Sequence, residues 1–218
     1  MVTKTLSSPH ITGLLDRLFE ETQANRPALE TLTQSDPQRL LTSKTAYREF
    51  YGSLKDFALP VSRETGLLLY MLTRTTRAQN VLEFGTSFGI STIYLAAALR
   101  DNGGGRIITT EFEASKAERA REHLTEAGLI DLVEIREGDA LQTLEHAIPT
   151  RLDLVLLDGA KALYGEILSL IEPFLGPGSL ILADDSQHCG EFVSQMRDDE
   201  SRYISVPLSQ DLEISMRL

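Results

Sequence analysis

The sequence predicts an α/β fold in which helices cover both faces of a doubly wound, mostly parallel β-sheet. From Asn80 onward, short and almost continuously apolar runs alternate with amphipathic segments, a pattern typical of parallel strands that are buried on both faces. The last two apolar runs are separated only by Leu208–Leu212. So short a link requires an antiparallel pair, because a parallel crossover needs about a dozen residues or more. We therefore expect seven strands, with the last one antiparallel and at the edge of the sheet.

The residues before Asn80 predict short helices, because apolar side chains recur there at helical spacing. The recurring positions are Leu14, Leu15, Leu18 and Phe19, then Tyr47, Phe50, Tyr51 and Leu54, then Leu67, Leu68, Met71 and Leu72. Pro27, Pro37 and Pro60 are expected to separate these helices. We interpret residues 1–57 as an N-terminal helical cover and residues 58–218 as one compact domain. The aromatic residues of this region, Tyr47, Phe50, Tyr51 and Phe57, could line or close a pocket, although packing against the sheet is favoured.

The elements after residue 80 follow one another in a regular order. The predicted strands are Asn80–Phe84, Arg106–Glu111, Leu132–Glu137, Leu152–Leu157, Ser179–Ala183, Tyr203–Pro207 and Glu213–Leu218. The predicted helices are Ile90–Leu99, Ala114–Ala127, Ala140–Ala147, Leu163–Leu175 and Glu191–Asp198. Together they describe a Rossmann-like sheet. Ligands of such sheets bind at the carboxyl ends of the strands, near the point where the strand order reverses, so functional residues are expected there.

Composition and charge exclude several classes of protein. The chain has 218 residues, enough for one ordinary domain, and a net charge of −11 without any basic block. Such a chain is not expected to bind nucleic acid or an anionic membrane through bulk electrostatics. Its single cysteine, Cys189, cannot form an internal disulfide, and neither a signal peptide nor a membrane span is apparent. We expect a cytoplasmic protein.

The first predicted strand ends in a turn with two glycines, in the stretch from Glu83 to Ser91. Gly85 permits a tight turn and Gly89 a close approach of the backbone, and the amides of the following helix point at whatever lies above them. Glu83 is an acid at the end of an apolar strand, where it needs a partner. A dinucleotide site favours three glycines, which argues against a nicotinamide oxidoreductase. The turn suits a ligand that carries an ammonium group and a carboxylate.

Acids also follow the next two predicted strands. Glu111 ends the second strand, where an acid can accept hydrogen bonds from a ribose diol. Asp139 follows the third strand, where it could accept from an adenine amino group. Each of these acids alone could instead cap the helix that follows it. Because three acids follow three successive strands, a nucleoside site is favoured over caps.

The stretch from Glu83 to Ser91, together with these acids, resembles the class I S-adenosylmethionine-dependent methyltransferases, in particular the catechol and caffeoyl-coenzyme A O-methyltransferase group. The resemblance covers roughly residues 58–218 and implies S-adenosyl-L-methionine as the cofactor. It implies that the glycine-containing loop meets the methionine moiety, that the acid after the second strand holds the ribose, and that the loop after the third strand meets adenine. The implied cofactor-binding residues are Val61, Ser62, Glu83, Gly85, Ser87, Ser91, Glu111, Phe112, Asp139, Ala140 and Asp158.

A second group of acids follows the fourth and fifth predicted strands. Asp158 comes directly after the fourth strand, and Asp184 with Asp185 follows the fifth. Neighbouring parallel strands bring these carboxylates together, where they repel one another unless a hard divalent cation such as Mg²⁺ binds them. The four histidines have no zinc-like spacing, and His188 is expected at a surface or pocket rim. Alternatively, the Asp pair is a helix cap with a solvated neighbour and Lys161 an ordinary surface charge.

In the O-methyltransferase group that this stretch resembles, acids at these positions hold the metal and a lysine three residues past the first acid acts as a base. The resemblance therefore implies Asp158, Asp184 and Asp185 as metal ligands, and Lys161 with Asp158 as catalytic residues. Burial and the metal together are expected to lower the pKa of Lys161. The chain departs from the group at Asp185, where asparagine is commoner, and at Gly159–Ala160, where some relatives have bulkier residues beside adenine.

The expected function is methyl transfer to one hydroxyl of a catechol-like small aromatic substrate, assisted by a divalent metal. Two alternatives stay open at the level of the sequence. One is a metal-independent methyltransferase that acts on nitrogen or a carboxylate, with acids that only shape the pocket. The other is a protein that binds S-adenosylmethionine without turnover. Members of the group commonly pair, so a homodimer is possible.

Overall fold

The computed structural model describes residues 4–32, 43–44, 47–148 and 151–218. Its strands are β1 (Asn80–Phe84), β2 (Arg106–Glu111), β3 (Val133–Glu137), β4 (Leu152–Leu157), β5 (Leu175–Asp184), β6 (Tyr203–Pro207) and β7 (Leu212–Arg217). Its helices are α1 (Pro9–Leu32), α2 (Tyr47–Ser53), α3 (Arg63–Thr75), α4 (Ile90–Asp101), α5 (Ala114–Glu126), α6 (Ala140–Thr143), α7 (Tyr164–Ile171) and α8 (Gly190–Asp198). In this described part, no helix is both long and apolar enough to cross a membrane.

The strands form one seven-stranded sheet in the order β3-β2-β1-β4-β5-β7-β6. Strands β1 to β5 are parallel, and β7 is antiparallel to both of its neighbours. The doubly wound, mostly parallel sheet with an antiparallel last strand is therefore confirmed. The expected edge position of that strand is wrong, because β6 forms the edge and β7 lies inside it. Pro207 in β6 has no backbone N–H to donate, and proline within a sheet is confined to such edge positions.

Alternate residues of the central strands enter two separate cores, which shows that both faces of the sheet are covered. Val81 and Leu154 pack in one core, together with residues of α1, α3, α4 and α5. Leu82 and Val155 pack in the other core, which includes residues of α7 and α8. Helix α1 contributes Ile11, Leu14, Leu15 and Leu18 to the first core. The N-terminal helix thus shares a core with the sheet.

Three predicted helix ends differ from the structure by more than two residues. Helix α1 continues through Pro27, in a segment that is largely exposed, so that the carbonyl left without an N–H partner can reach water. Helix α6 ends at Thr143 rather than Ala147, because the Arg136 guanidinium binds the carbonyl oxygens of Thr143, His146 and Ala147.

The predicted helix Leu163–Leu175 also differs from the structure: α7 ends at Ile171 and Pro173 lies in a 3₁₀ turn, so that β5 begins at Leu175. Proline removes a helical hydrogen bond and clashes with the preceding turn, which explains this early end. Pro37, which is expected to separate two helices, lies outside the described residues.

Candidate active site

A cavity lies at the carboxyl ends of β1 to β4, where the strand order reverses between β1 and β4. Its wall contains seven of the predicted cofactor-binding residues: Gly85, Ser87, Glu111, Phe112, Asp139, Ala140 and Asp158. These residues come from four separate strand ends. The structure thus brings together the acids that the sequence places after β2 and β3 with the glycine-containing loop after β1.

The loop after β1 is held tightly against the loop after β4. Gly85 has a φ of +104°, and a Cβ atom at this position would lie 2.5 Å from the backbone oxygen of Asp158. Only glycine tolerates both the positive φ and this close approach. Ser87 also has a positive φ, of 48°, and its backbone N–H donates to the Glu111 carboxylate over 2.7 Å. The loop therefore approaches both Asp158 and Glu111.

Glu111 is buried, and two backbone amides fix its carboxylate. One oxygen accepts from Ser87 N at 2.7 Å and the other from Glu113 N at 2.9 Å. Burial raises the pKa of Glu111, although these hydrogen bonds and the nearby Lys116 ammonium oppose the shift. A carboxylate has about four acceptor positions, so Glu111 retains the capacity to accept from hydroxyls of a ligand in the cavity.

Glu83 and Ser91 lie deeper than the other predicted cofactor residues. The Glu83 side chain is fully buried and accepts hydrogen bonds from the hydroxyls of Ser91, Thr92 and Thr109, at 2.5–2.6 Å. These three donors supply the partner that a buried acid requires. Ser91 lines a small second cavity with Ser87, while Glu83 supports the base of the loop. A direct role of either residue in cofactor binding stays a prediction.

Glu83 gives the stability of the protein a specific pH dependence. Burial raises its pKa from 4.5 to about 7, despite the three hydroxyl donors. Between these two values the folded chain binds more protons at Glu83 than the unfolded chain, so stability falls as pH rises. We expect this carboxyl group to cost the folded state up to about 3 kcal/mol on going from pH 4.5 to pH 8. Urea unfolding of the wild type and Glu83→Gln at pH 5 and pH 8 measures this difference, and equal pH slopes would contradict it.

Val61 and Ser62 precede α3 and do not line the main cavity. Val61 is buried in the first core, and the Ser62 hydroxyl caps α3 by accepting from Thr65 N at 3.0 Å. Leu59, two residues earlier, is the member of this segment that lines the cavity. Cofactor contacts of Val61 and Ser62 therefore stay predictions.

The three acids after β4 and β5 converge as the sequence predicts. Carboxylate oxygens of Asp158, Asp184 and Asp185 lie within 4.8 Å of one another. Asp185 has a left-handed backbone, with φ of 53°, and its side chain makes no cap hydrogen bond with the 3₁₀ turn that follows. Burial and the charge of Asp158 raise the pKa of Asp184 to about 8. Such a set of oxygen donors fits a hard divalent cation, and it does not fit a simple helix cap.

Lys161 lies between these acids. Its Nζ atom is 3.1 Å from both Asp158 Oδ1 and Asp185 Oδ2, and its side chain is only 4% exposed. Lys161 is therefore not the ordinary surface charge that the sequence leaves open. Burial acts to lower its pKa, but the surrounding Tyr164, Asp158 and Asp185 outweigh burial and raise it well above 10.5. Burial alone thus does not produce the lowered pKa that the sequence analysis expects.

Comparisons with known proteins agree with this geometry. A family model described as a methyltransferase domain matches residues 82–186. Catechol O-methyltransferase B of Danio rerio is 31% identical over 203 residues, which cover 87% of this chain and 75% of that protein. This chain belongs to the class I S-adenosylmethionine-dependent O-methyltransferases.

Two further members of the O-methyltransferase family are similar to this chain. Catechol O-methyltransferase of Niastella koreensis is 34% identical over 141 residues, which are 63% of this chain and 63% of that protein. The crystal structure of the O-methyltransferase TomG from Streptomyces achromogenes, in complex with SAM, superposes with a TM-score of 0.65 at 26% identity. That superposition covers 91% of this chain and 97% of TomG. The chain spans about 63% of the length of the Niastella relative.

Tyr164 is a residue beside the carboxylate cluster that sequence analysis misses. Its hydroxyl lies 2.7 Å from the carbonyl oxygen of Leu157 and 2.9 Å from that of Asp184. The ring is buried and packs edge-on against Phe192. Leu157 and Asp184 end β4 and β5, which are already paired in the sheet, so the Tyr164 hydroxyl adds a contact between α7 and the strand ends that carry the acids. A tyrosine three residues after Lys161 was visible in the sequence, but its buried contacts were not.

Helix α2 covers one side of the O-methyltransferase cavity. Tyr47 and Tyr51 line the cavity, in addition to the packing role that the sequence favours. Phe50 packs edge-on against Tyr51. A role of Phe57 in the pocket stays a prediction. Arg48 forms an ion pair with Asp139 and lies 5.9 Å from the centroid of the Phe112 ring. Asp139 also caps α6 by accepting from Leu141 N at 3.0 Å. Because it lines the cavity as well, the cap and a role in cofactor binding are compatible.

Two further ionisable residues, Lys116 and His188, lie in or near the site. Lys116, which sequence analysis misses, is buried in the cavity wall next to Glu111. His188 lines an open groove beside α7 and α8 that Lys161 also lines, in agreement with the expected pocket rim. A lysine five residues after the acid of β2 carries no recognisable motif, so only the structure identifies it.

Proposed function

We propose that this chain transfers a methyl group from S-adenosyl-L-methionine to one hydroxyl of a catechol-like small aromatic substrate, with the assistance of a divalent cation. The observation that carries the proposal is the position of Asp158. Its side chain lines the cavity at the carboxyl ends of β1 to β4, called the nucleoside-type cavity below, and also belongs to the cluster of three carboxylates. Cofactor and metal sites would therefore share a wall, as methyl transfer to a metal-bound acceptor requires. The names of the Danio and Niastella relatives support the catechol-like acceptor.

The cavity supplies groups suited to each part of the cofactor. Glu111 would accept from the ribose hydroxyls, while Phe112, Asp139 and Ala140 would surround the adenine. The loop with Gly85 and Ser87 would meet the methionine moiety, next to Asp158. Val61, Ser62, Glu83 and Ser91 complete the proposed cofactor-binding set. The SAM complex of TomG supports this choice of cofactor.

Asp158, Asp184 and Asp185 would hold the divalent cation, for which Mg²⁺ is the expected ion. When bound, the cation lowers the pKa of an acceptor hydroxyl and the sulfonium cofactor provides an electrophilic methyl group. Lys161 Nζ lies 3.1 Å from two of the acids, whose charges favour its protonated form. With the charge of those carboxylates offset by a bound cation, Lys161 could lose its proton and act as the base for the hydroxyl. Asp158 assists by orienting the lysine. Tyr164 would help to hold α7 against the ends of β4 and β5, beside the acids and the base.

A screen of acceptors tests the proposal against its alternatives. We expect aromatic vicinal diols to be methylated in the presence of Mg²⁺, and their mono-hydroxyl analogues to react at least about 100-fold more slowly, because only a diol offers two oxygens to one cation. Methylation of amines or carboxylates without added metal would favour the metal-independent alternative. Binding of S-adenosylhomocysteine without turnover of any acceptor would favour the binding-only alternative.

Three expectations about the protein as a whole accompany this proposal. They are a homodimer, a cytoplasmic location, and a division into a cover of residues 1–57 and a domain of residues 58–218. The catalytic proposal does not depend on them, because each residue that it uses comes from one chain. Its proposed cofactor, metal and catalytic residues all follow residue 58, while Tyr47 and Tyr51 line the cavity from the N-terminal segment.

A further inference from the structure

Lys116 is a buried cation in the wall of the cavity, outside the machinery described so far. It lies in the first turns of α5, five residues after Glu111, and is only 3% exposed. In the described ranges it forms neither a hydrogen bond nor an ion pair within 4.0 Å. Its Nζ atom lies 5.9 Å from the centroid of the Phe88 ring. The acids Glu111, Glu113 and Asp56 attract it only from a distance.

A buried ammonium group without a direct partner is costly for the folded state. Taking such a charge out of water is unfavourable unless hydrogen bonds or a close counter-ion offset the loss. Burial accordingly lowers the pKa of Lys116, against the attraction of the neighbouring acids. The ammonium group brings three donors to the cavity, and an acceptor on a bound ligand would satisfy them.

The adjacent Glu111 indicates which acceptor this is. Two backbone amides already orient its carboxylate, which leaves it free to accept hydrogen bonds from ligand hydroxyls. A hydroxyl that donates a hydrogen bond to Glu111 still carries two lone pairs, which can accept from a donor. A carboxylate and an ammonium group side by side thus match both hydrogen-bonding capacities of a ribose hydroxyl.

We propose that Lys116 is a further cofactor-binding residue, which donates a hydrogen bond to a ribose hydroxyl oxygen while Glu111 accepts from the ribose diol. This inference rests on the proposed function, since it requires a nucleoside in the cavity. It makes the pair Lys116 and Glu111 the determinant that distinguishes a ribonucleoside from its deoxy analogues. It also gives a role to a cation in the cavity wall that, within the described ranges, has neither a hydrogen bond nor a close ion pair.

Calorimetry with S-adenosylhomocysteine and its 2′-deoxy and 3′-deoxy analogues tests the inference. Lys116→Met keeps the length of the side chain but removes the charge, and Arg119→Met is the matched control. Arg119 lies on the same helix and contacts the same Phe88 ring, at 4.8 Å, but is exposed. We expect Lys116→Met to bind S-adenosylhomocysteine roughly 10-fold or more weakly, the usual effect of losing a charged hydrogen bond. Its preference over one deoxy analogue should shrink by the same factor, while Arg119→Met matches the wild type.

A second variant and the unfolding temperature separate binding from stability. Lys116→Gln keeps a neutral donor and should recover part of the preference for the ribose. Without ligand, the Lys116→Met variant should unfold at the same or a higher temperature than the wild type, because it lacks a buried charge that has no close partner. Equal weakening for all three ligands, or unchanged binding, would overturn the role of Lys116 alone. If the wild type does not bind S-adenosylhomocysteine, the proposed function fails, and this inference fails with it.

Discussion

Replacing Lys161 with methionine is expected to lower turnover of an aromatic diol by roughly 10²–10⁴-fold, the usual range for the loss of a general base. Methionine fills a similar volume but cannot accept a proton. Lys161 does not line the nucleoside-type cavity, so the affinity for S-adenosylhomocysteine should stay near the wild-type value. Turnover at saturating Mg²⁺, cofactor and acceptor measures the first effect, and calorimetry the second.

Lys44→Met is the matched control for this substitution. Lys44 lines the same open groove as Lys161, but it is exposed and pairs with Glu166 rather than with the three acids. Its replacement should leave turnover within about twofold of the wild type, since an exposed ion pair contributes little. If Lys161→Met retained more than a tenth of wild-type turnover, Lys161 would not be the base.

Replacing Asp184 with asparagine is expected to lower turnover by roughly 10³-fold, because a metal ion contributes several kcal/mol of charge stabilisation in such reactions. Asp184 belongs to the carboxylate cluster but not to the wall of the nucleoside-type cavity. The loss should therefore appear in turnover and in the affinity for Mg²⁺, and not in the affinity for S-adenosylhomocysteine. Removal of divalent ions from the wild type by chelation should reproduce it, and re-addition should reverse it.

Asp198→Asn provides the control for a change of charge alone. Asp198 is an exposed acid at the end of α8, away from the cluster. This variant should keep wild-type turnover and wild-type dependence on Mg²⁺. Full activity of the chelated wild type, or an unchanged requirement for Mg²⁺ in Asp184→Asn, would remove the metal from the mechanism.

Local sequence patterns were sufficient to predict most of the sheet and both clusters of acids. Strands β1, β2, β4 and β6 have the predicted bounds. For β1, β2 and β4 the reason is that buried strands have few charged residues and clear ends, whereas β6 is a largely exposed edge strand that ends at Pro207. The carboxyl ends of parallel strands lie at the same edge of the sheet, so residues at or just after these ends, such as Glu111 and Asp158, were expected to lie close together. The convergence of Asp184 and Asp185 with Asp158 followed from the same rule.

Features that depend on contacts between distant segments were not predictable. The order of β6 and β7 depends on which strand tolerates an open edge. The ion pair between Arg48 and Asp139 joins residues 91 positions apart. Lys116 and Tyr164 carry no motif, and their importance comes from burial. The pKa of Lys161 depends on a balance between burial and the charges of Tyr164, Asp158 and Asp185, which only their distances decide.

The central claim is that Asp158, Asp184 and Asp185 bind one divalent cation beside the cofactor. Crystals grown with Mn²⁺ and S-adenosylhomocysteine test it most directly, through anomalous scattering. We predict one strong anomalous peak within about 2.0–2.6 Å of an oxygen from each of the three carboxylates. Well-ordered carboxylates without a peak between them, at saturating Mn²⁺, would contradict the claim.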